Sequence, residues 1–96
     1  MRFTVLVQMV NAGQTARLPC LVDRLEGFVL LWRRGGDIVS VGNHVTARDS
    51  RLEVEPGESG NHLVVRGAEL ADQGGYSCSV SAYKETVQKH QMLCLR

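Results

Sequence analysis

The stretch Leu63–Cys78, LVVRGAELADQGGYSC, constrains this chain more than any other. Leu63 and Val65 occupy alternate positions, so both point into one face of a strand. Asp72, Gln73 and Gly74 read as a corner, where Gly74 can take a positive φ at little cost. A second strand then carries Tyr76 and Cys78, which share one parity and so one face. Upstream stand Cys20 in RLPC and Trp32 in VLLW, twelve residues apart.

The chain has 96 residues, which fits one domain spanning 1–96. A domain this small buries a modest core, so a covalent staple helps. Eleven basic and ten acidic residues leave a net charge of +1. The charges are dispersed, so nothing suggests a nucleic-acid or anionic-membrane partner. No apolar stretch is long enough to span a bilayer. The opening MRFTVLVQMV is too short for a signal peptide and reads as strand. Met1 is taken as a start residue ahead of an excised domain, with a leader and any anchor lying outside these residues. The cysteine count, three, is odd.

In chain order, Phe3–Val10 is rich in β-branched residues and reads as a first edge strand. Asn11–Gln14 is a turn. Ala16, Leu18, Cys20 and Val22 share the inward parity of a second strand. Pro19 has no N–H to donate, so it needs an open place in the ladder. In the next strand Phe28, Leu30 and Trp32 point inward, and Val29, Leu31 and Arg33 point outward. Arg34–Asp37 is a hairpin turn, Ile38–Val41 returns, and Val45–Thr46 starts a further short strand. Arg51–Glu55 alternates Leu52 and Val54 with charged neighbours. Glu55–Asn61 is a loop by composition. The last strand runs from Val87 to Arg96, with Leu93 and Leu95 on one parity and Met92 and Cys94 on the other. Strands at this spacing, with turn signals between them, mean an all-β sandwich.

No catalytic constellation emerges. His44, His62 and His90 lie on separate expected strands or loops, without metal-ligand spacing to each other or to a cysteine pair. There is no Gly-rich phosphate loop and no nucleophile elbow. The reading is of a non-enzyme with no cofactor, no metal and no small-molecule substrate. Asn11, Asn43 and Asn61 all lack Ser or Thr two positions on, so no N-glycan is expected.

Cys20, Trp32, Leu63, Asp72, Gly74, Tyr76 and Cys78 together resemble the frame of an immunoglobulin-superfamily domain. The likeness covers nearly the whole chain. It implies an immunoglobulin-like β-sandwich of two antiparallel sheets with Greek-key connections. It also implies a Cys20–Cys78 disulfide packed against Trp32, worth about 4 kcal/mol in a chain-entropy account. Tyr76 would reach back to the corner backbone, and Arg51 would pair with Asp72 as a fold-stabilising ion pair. The gap between Trp32 and Leu63 points to the variable or intermediate type. The chain lacks the Gly-x-Gly bulge of antigen-receptor variable domains. A narrower resemblance, carried by LPCLVDRLEGFVLLWRR and IVSVGNHVTARDSRLEV, is to first domains of lachesin-like invertebrate neuronal adhesion molecules. Such domains bind another immunoglobulin domain through the outer face of the G-F-C-C′ sheet.

On that resemblance the docking candidates are Val29, Leu31 and Ile38, rimmed by Arg33 and His44, with Ser77, Ser79 and Ser81 as a flat floor. A neighbouring loop could instead cover the apolar residues, and the others could be ordinary solvated positions. Cys94 should face outward, where it either bridges two copies or stays free. The implied function is extracellular or cell-surface recognition of a like domain, homophilic or heterophilic, including a homodimer. Two rivals stay open. One is an innate immune receptor domain using the loops Asp23–Gly27 and Ala82–Thr86. The other is an intracellular structural module whose cysteines stay reduced.

Overall fold

The structure, a computed structural model, describes residues 6–20, 29–57, 60–82 and 85–96. The expected strand positions Phe3, Val22 and Phe28, all of the rival loop Asp23–Gly27, and Tyr83 and Lys84 of the rival loop Ala82–Thr86 lie outside them. Among the described residues nine strands form in chain order: β1 (Leu6–Val10), β2 (Ala16–Leu18), β3 (Leu30–Arg34), β4 (Asp37–Val41), β5 (His44–Val45), β6 (Leu52–Gly57), β7 (Gly60–Val65), β8 (Gly74–Ala82) and β9 (Glu85–Leu95). A single 3₁₀ turn, Leu70–Asp72, sits between β7 and β8. The larger sheet has six strands in the order β1-β9-β8-β3-β4-β5, and the smaller has three in the order β2-β7-β6.

Every pairing is antiparallel except one. β1 runs parallel to β9, with Met9 beside Cys94. The chain crosses from the larger sheet to the smaller between β1 and β2. That crossing leaves one edge of β2 open, and Pro19 follows directly where no neighbour needs its missing donor.

Two departures from the sequence expectation shape the sheets. The ladder between β6 and β7 continues through Pro56↔Asn61 to Gly57↔Gly60, across residues that composition assigns to a loop. β6 lies at a sheet edge, where proline is tolerated, so turn-rich composition does not end the pairing. In β4 the register slips opposite Trp32 and Arg33, so that Ser40 faces Trp32 and Ile38 faces Arg33. Val39 is the extra residue of this bulge, and both it and Ser40 are buried. The bulge lets Ile38 and Val41 share the outer face.

The core lies between the sheets. Leu18, Trp32, Leu63, Val65 and Leu93 are fully enclosed, and Tyr76 nearly so. Cys20 and Cys78 form a disulfide inside this cluster. The Trp32 indole N–H donates to the Asn61 carbonyl at 3.1 Å, so its one polar atom is satisfied. Gln91, buried on β9, donates through Nε2 to the Pro19 carbonyl.

The corner before β8 is held by charge. Arg51 donates from both terminal nitrogens to the Asp72 carboxylate, at 2.7 and 2.9 Å. The Glu69 backbone N–H donates to the same carboxylate at 2.7 Å. The Tyr76 hydroxyl donates to the Asp72 carbonyl at 2.7 Å. Gly74 follows with φ +136°, a backbone state that a side chain would disfavour. Hydrogen bonding from Arg51 holds the Asp72 carboxyl below its ordinary range, and Asp72 in turn raises the Arg51 guanidinium. Burial pushes the Tyr76 phenol up.

Candidate protein-docking face

The two outer faces of the sandwich differ in chemistry. On the smaller sheet, Arg17 pairs with Glu55 at 3.3 Å and Arg66 pairs with Glu53 at 2.8 Å. These long polar side chains lie over the outward position of Val64, which is only 1% exposed. Hydrogen bonding from Arg66 lowers the Glu53 carboxyl, and both groups stand in solvent. Such exposed pairs contribute little stability, but they keep a face wet.

The outer face of the larger sheet carries apolar groups instead. The register puts Leu31 opposite Val41 and Arg33 opposite Ile38 across β3 and β4. Val29 precedes β3 with the same parity as Leu31. Val29, Ile38 and Val41 are 56, 46 and 38% exposed, while Leu31 is half-buried among its neighbours. His44 lies on β5 opposite Val41, exposed at the rim. These residues came together because β3, β4 and β5 are consecutive strands joined by tight turns.

Ser77 and Ser79 belong to the same face, but the flat floor that the sequence reading expects of them is covered. Ser77 lies between Arg33 and His90, and Ser79 between Leu31 and Gln88. Longer neighbours on both sides reduce them to 6 and 7% exposure. Arg33 donates to the Ser79 hydroxyl at 2.8 Å, which draws it across the floor. Nothing is described of the Ser81 side chain.

Besides Val41, three apolar contributors went unassigned in the sequence. Val7, Met9 and Met92 are 52, 50 and 38% exposed and extend the face across β1 and β9. Met92 had the outward parity, but only the β1–β9 pairing shows that Val7 and Met9 stand beside it. Cys94 lies next to Met9, half-buried, and is the free cysteine of the described residues. Between the two apolar ends lies a depression of about 410 Å³, bordered by Arg33, Gly75, Ser77, His90 and Met92. Gly75 leaves it open by having no side chain. Among the described residues no cluster of His, Cys, Asp or Glu could hold a metal ion, and no helix is long and apolar enough to cross a membrane.

The family model for the immunoglobulin I-set domain matches residues 3–94. The chain belongs to the immunoglobulin I-set family. Of the variable and intermediate types left open by strand spacing, the I-set is the intermediate one. No curated protein sequence matches the chain significantly.

Solved structures carry the same fold. The ZIG-8–RIG-5 IG1–IG1 heterodimer matches with a TM-score of 0.85 at 26% identity, over 97% of this chain and 83% of that one. The ZIG-8 IG1 homodimer matches with a TM-score of 0.78 at 24% identity, over 96% of this chain and 81% of that one. Dpr2 Ig1–Ig2 in complex with DIP-Theta Ig1–Ig3 matches with a TM-score of 0.85 at 24% identity. There the likeness covers 98% of this chain but only 33% of the other, so this I-set domain corresponds to a third of that chain's length. In all three structures immunoglobulin domains are bound to other immunoglobulin domains.

Proposed function

We propose that this I-set domain is a non-enzymatic extracellular recognition module that binds another immunoglobulin domain through the outer face of its larger sheet. The observation that carries the reading is the contrast between the two outer faces. One is covered by ion pairs, and the other exposes Val29, Ile38, Val41, Met92, Val7 and Met9 on one continuous sheet. Burying such apolar area contributes about 25 cal/mol per Å² before association costs are subtracted. The similar structures support the class of partner, since they hold both an IG1–IG1 heterodimer and an IG1 homodimer. The Cys20–Cys78 bridge fits an oxidising, extracellular setting and weighs against the reduced intracellular reading.

Leu31→Arg places a charge in the middle of this face without entering the core. At the highest soluble concentration, sedimentation equilibrium should show weak pairing of the wild-type domain with its own kind. Leu31→Arg should weaken that pairing at least tenfold, about 1.4 kcal/mol, with an unchanged thermal midpoint. Glu53→Ala, on the other outer face, should leave pairing as it is. Equal pairing by wild type and Leu31→Arg would place the interface elsewhere.

A further inference from the structure

The proposed face carries one charge that no described carboxylate answers. Arg17, Arg34, Arg51 and Arg66 each pair with a carboxylate. Arg48 and Arg96 stand exposed to water. Arg33 is different: it is half-buried, and its bond to the Ser79 hydroxyl is the one it makes among the described residues. By register, no described Asp or Glu has an outward position on this face.

From this we infer that Arg33 selects the partner: the face is suited to a different immunoglobulin domain that brings a carboxylate to Arg33, and it disfavours a second copy of this chain. The inference rests on the docking face proposed above. β8 and β3 are the two middle strands of the larger sheet, and Arg33 sits on β3 opposite Ser77 of β8. A two-fold contact between copies uses the same patch twice, so a face-centred pairing brings the two Arg33 side chains together. Like charges set against each other in a drying interface are unfavourable, and the described residues of this face offer no acid in exchange. His44 and His90, on the same face, bring no carboxylate either. A partner carboxylate resolves the conflict, because the planar guanidinium donates to it in a two-bond fork. The depression beside Gly75, which Arg33 borders, has room for the side chain that delivers it.

The chain itself supplies the probe. Wild type, Arg33→Met, Arg33→Lys and Arg33→Glu are compared by sedimentation equilibrium, with thermal midpoints to confirm folding. An equimolar mixture of wild type and Arg33→Glu is run beside them. Self-pairing should tighten at least tenfold in Arg33→Met and stay at the wild-type level in Arg33→Lys, which keeps the charge. The mixture should pair at least tenfold more tightly than wild type alone, and the gain should shrink as salt rises. If Arg33→Met misfolds, Arg33→Gln serves in its place. Wild type pairing as tightly as Arg33→Met overturns the inference, and so does a mixture no tighter than wild type. Repeating the mixture with Leu31→Arg in both copies separates the two failures. A gain that survives Leu31→Arg sinks the docking face itself, whereas a wild-type dimer as tight as that of Arg33→Met, and dissolved by Leu31→Arg, keeps the face and removes only the carboxylate requirement.

Discussion

Replacing Cys20 and Cys78 together by alanine is expected to lower stability by about 4 kcal/mol. The bridge closes a long loop, since the two cysteines are 58 residues apart. In the chain-entropy account, cutting it frees the unfolded ensemble more than it disturbs the native one. A loss of that size is a large share of the roughly 5–15 kcal/mol typical of a folded domain. The thermal midpoint should drop by roughly 20 °C in a domain of this size. Because both cysteines are 1% exposed and sit in the cluster around Trp32, the small alanines also leave space that the core must close. Urea unfolding at neutral pH measures the loss directly. A loss below about 1 kcal/mol would mean that packing around the indole, rather than the covalent link, holds the sheets together. Counting thiols in the native protein gives an independent check: Cys94 alone should react.

Removing the carboxylate of Asp72 should be the next most damaging change. Its side chain is 1% exposed and accepts two bonds from Arg51 and one from the Glu69 backbone. Arg34 adds a longer contact at 3.7 Å. Breaking a buried pair from one side strands its partner, and about 3 kcal/mol is expected for Asp72→Ala. The figure sits at the low end because Arg51 is partly exposed and keeps Asp49 at 3.2 Å. The direction of the Asp72 shift fixes the pH dependence. Its carboxyl is held below the ordinary value of 3.8, so the charged form favours the folded state. That contribution is complete above the unfolded value, declines as pH falls through it, and is gone once the pH lies below the folded value. Asp72→Asn imitates the protonated acid. Its gap to wild type should therefore be full at neutral pH and narrow steadily below about pH 4. A gap that stays constant down to strongly acidic pH would show that the charge of Asp72 is not what holds the corner.

Most of the frame could be read in advance because it is local or alternating. Leu63, Val65, Tyr76 and Cys78 point inward by parity alone, and the corner follows from Asp72 and Gly74. What could not be read depends on partners distant in sequence. Val7 and Met9 join the apolar face only because β1 pairs with β9, at the other end of the chain. Ser77 and Ser79 look like open ground in one strand. They are covered by Arg33, Leu31, His90 and Gln88, which come from the strands on either side. The bulge at Val39 escaped because a one-residue slip leaves no mark in a short apolar run such as Ile38–Val41. Composition also misjudged Pro56 and Gly57, since an edge strand tolerates residues that a central strand excludes.

Which surface of this domain meets its partner can be mapped by diluting isotope-labelled protein and following its backbone amide resonances. Concentration-dependent shifts should cluster on Val29, Leu31, Ile38, Val41 and Met92, and leave Arg17, Glu53 and Arg66 unmoved. Shifts centred on the smaller sheet instead would contradict the account.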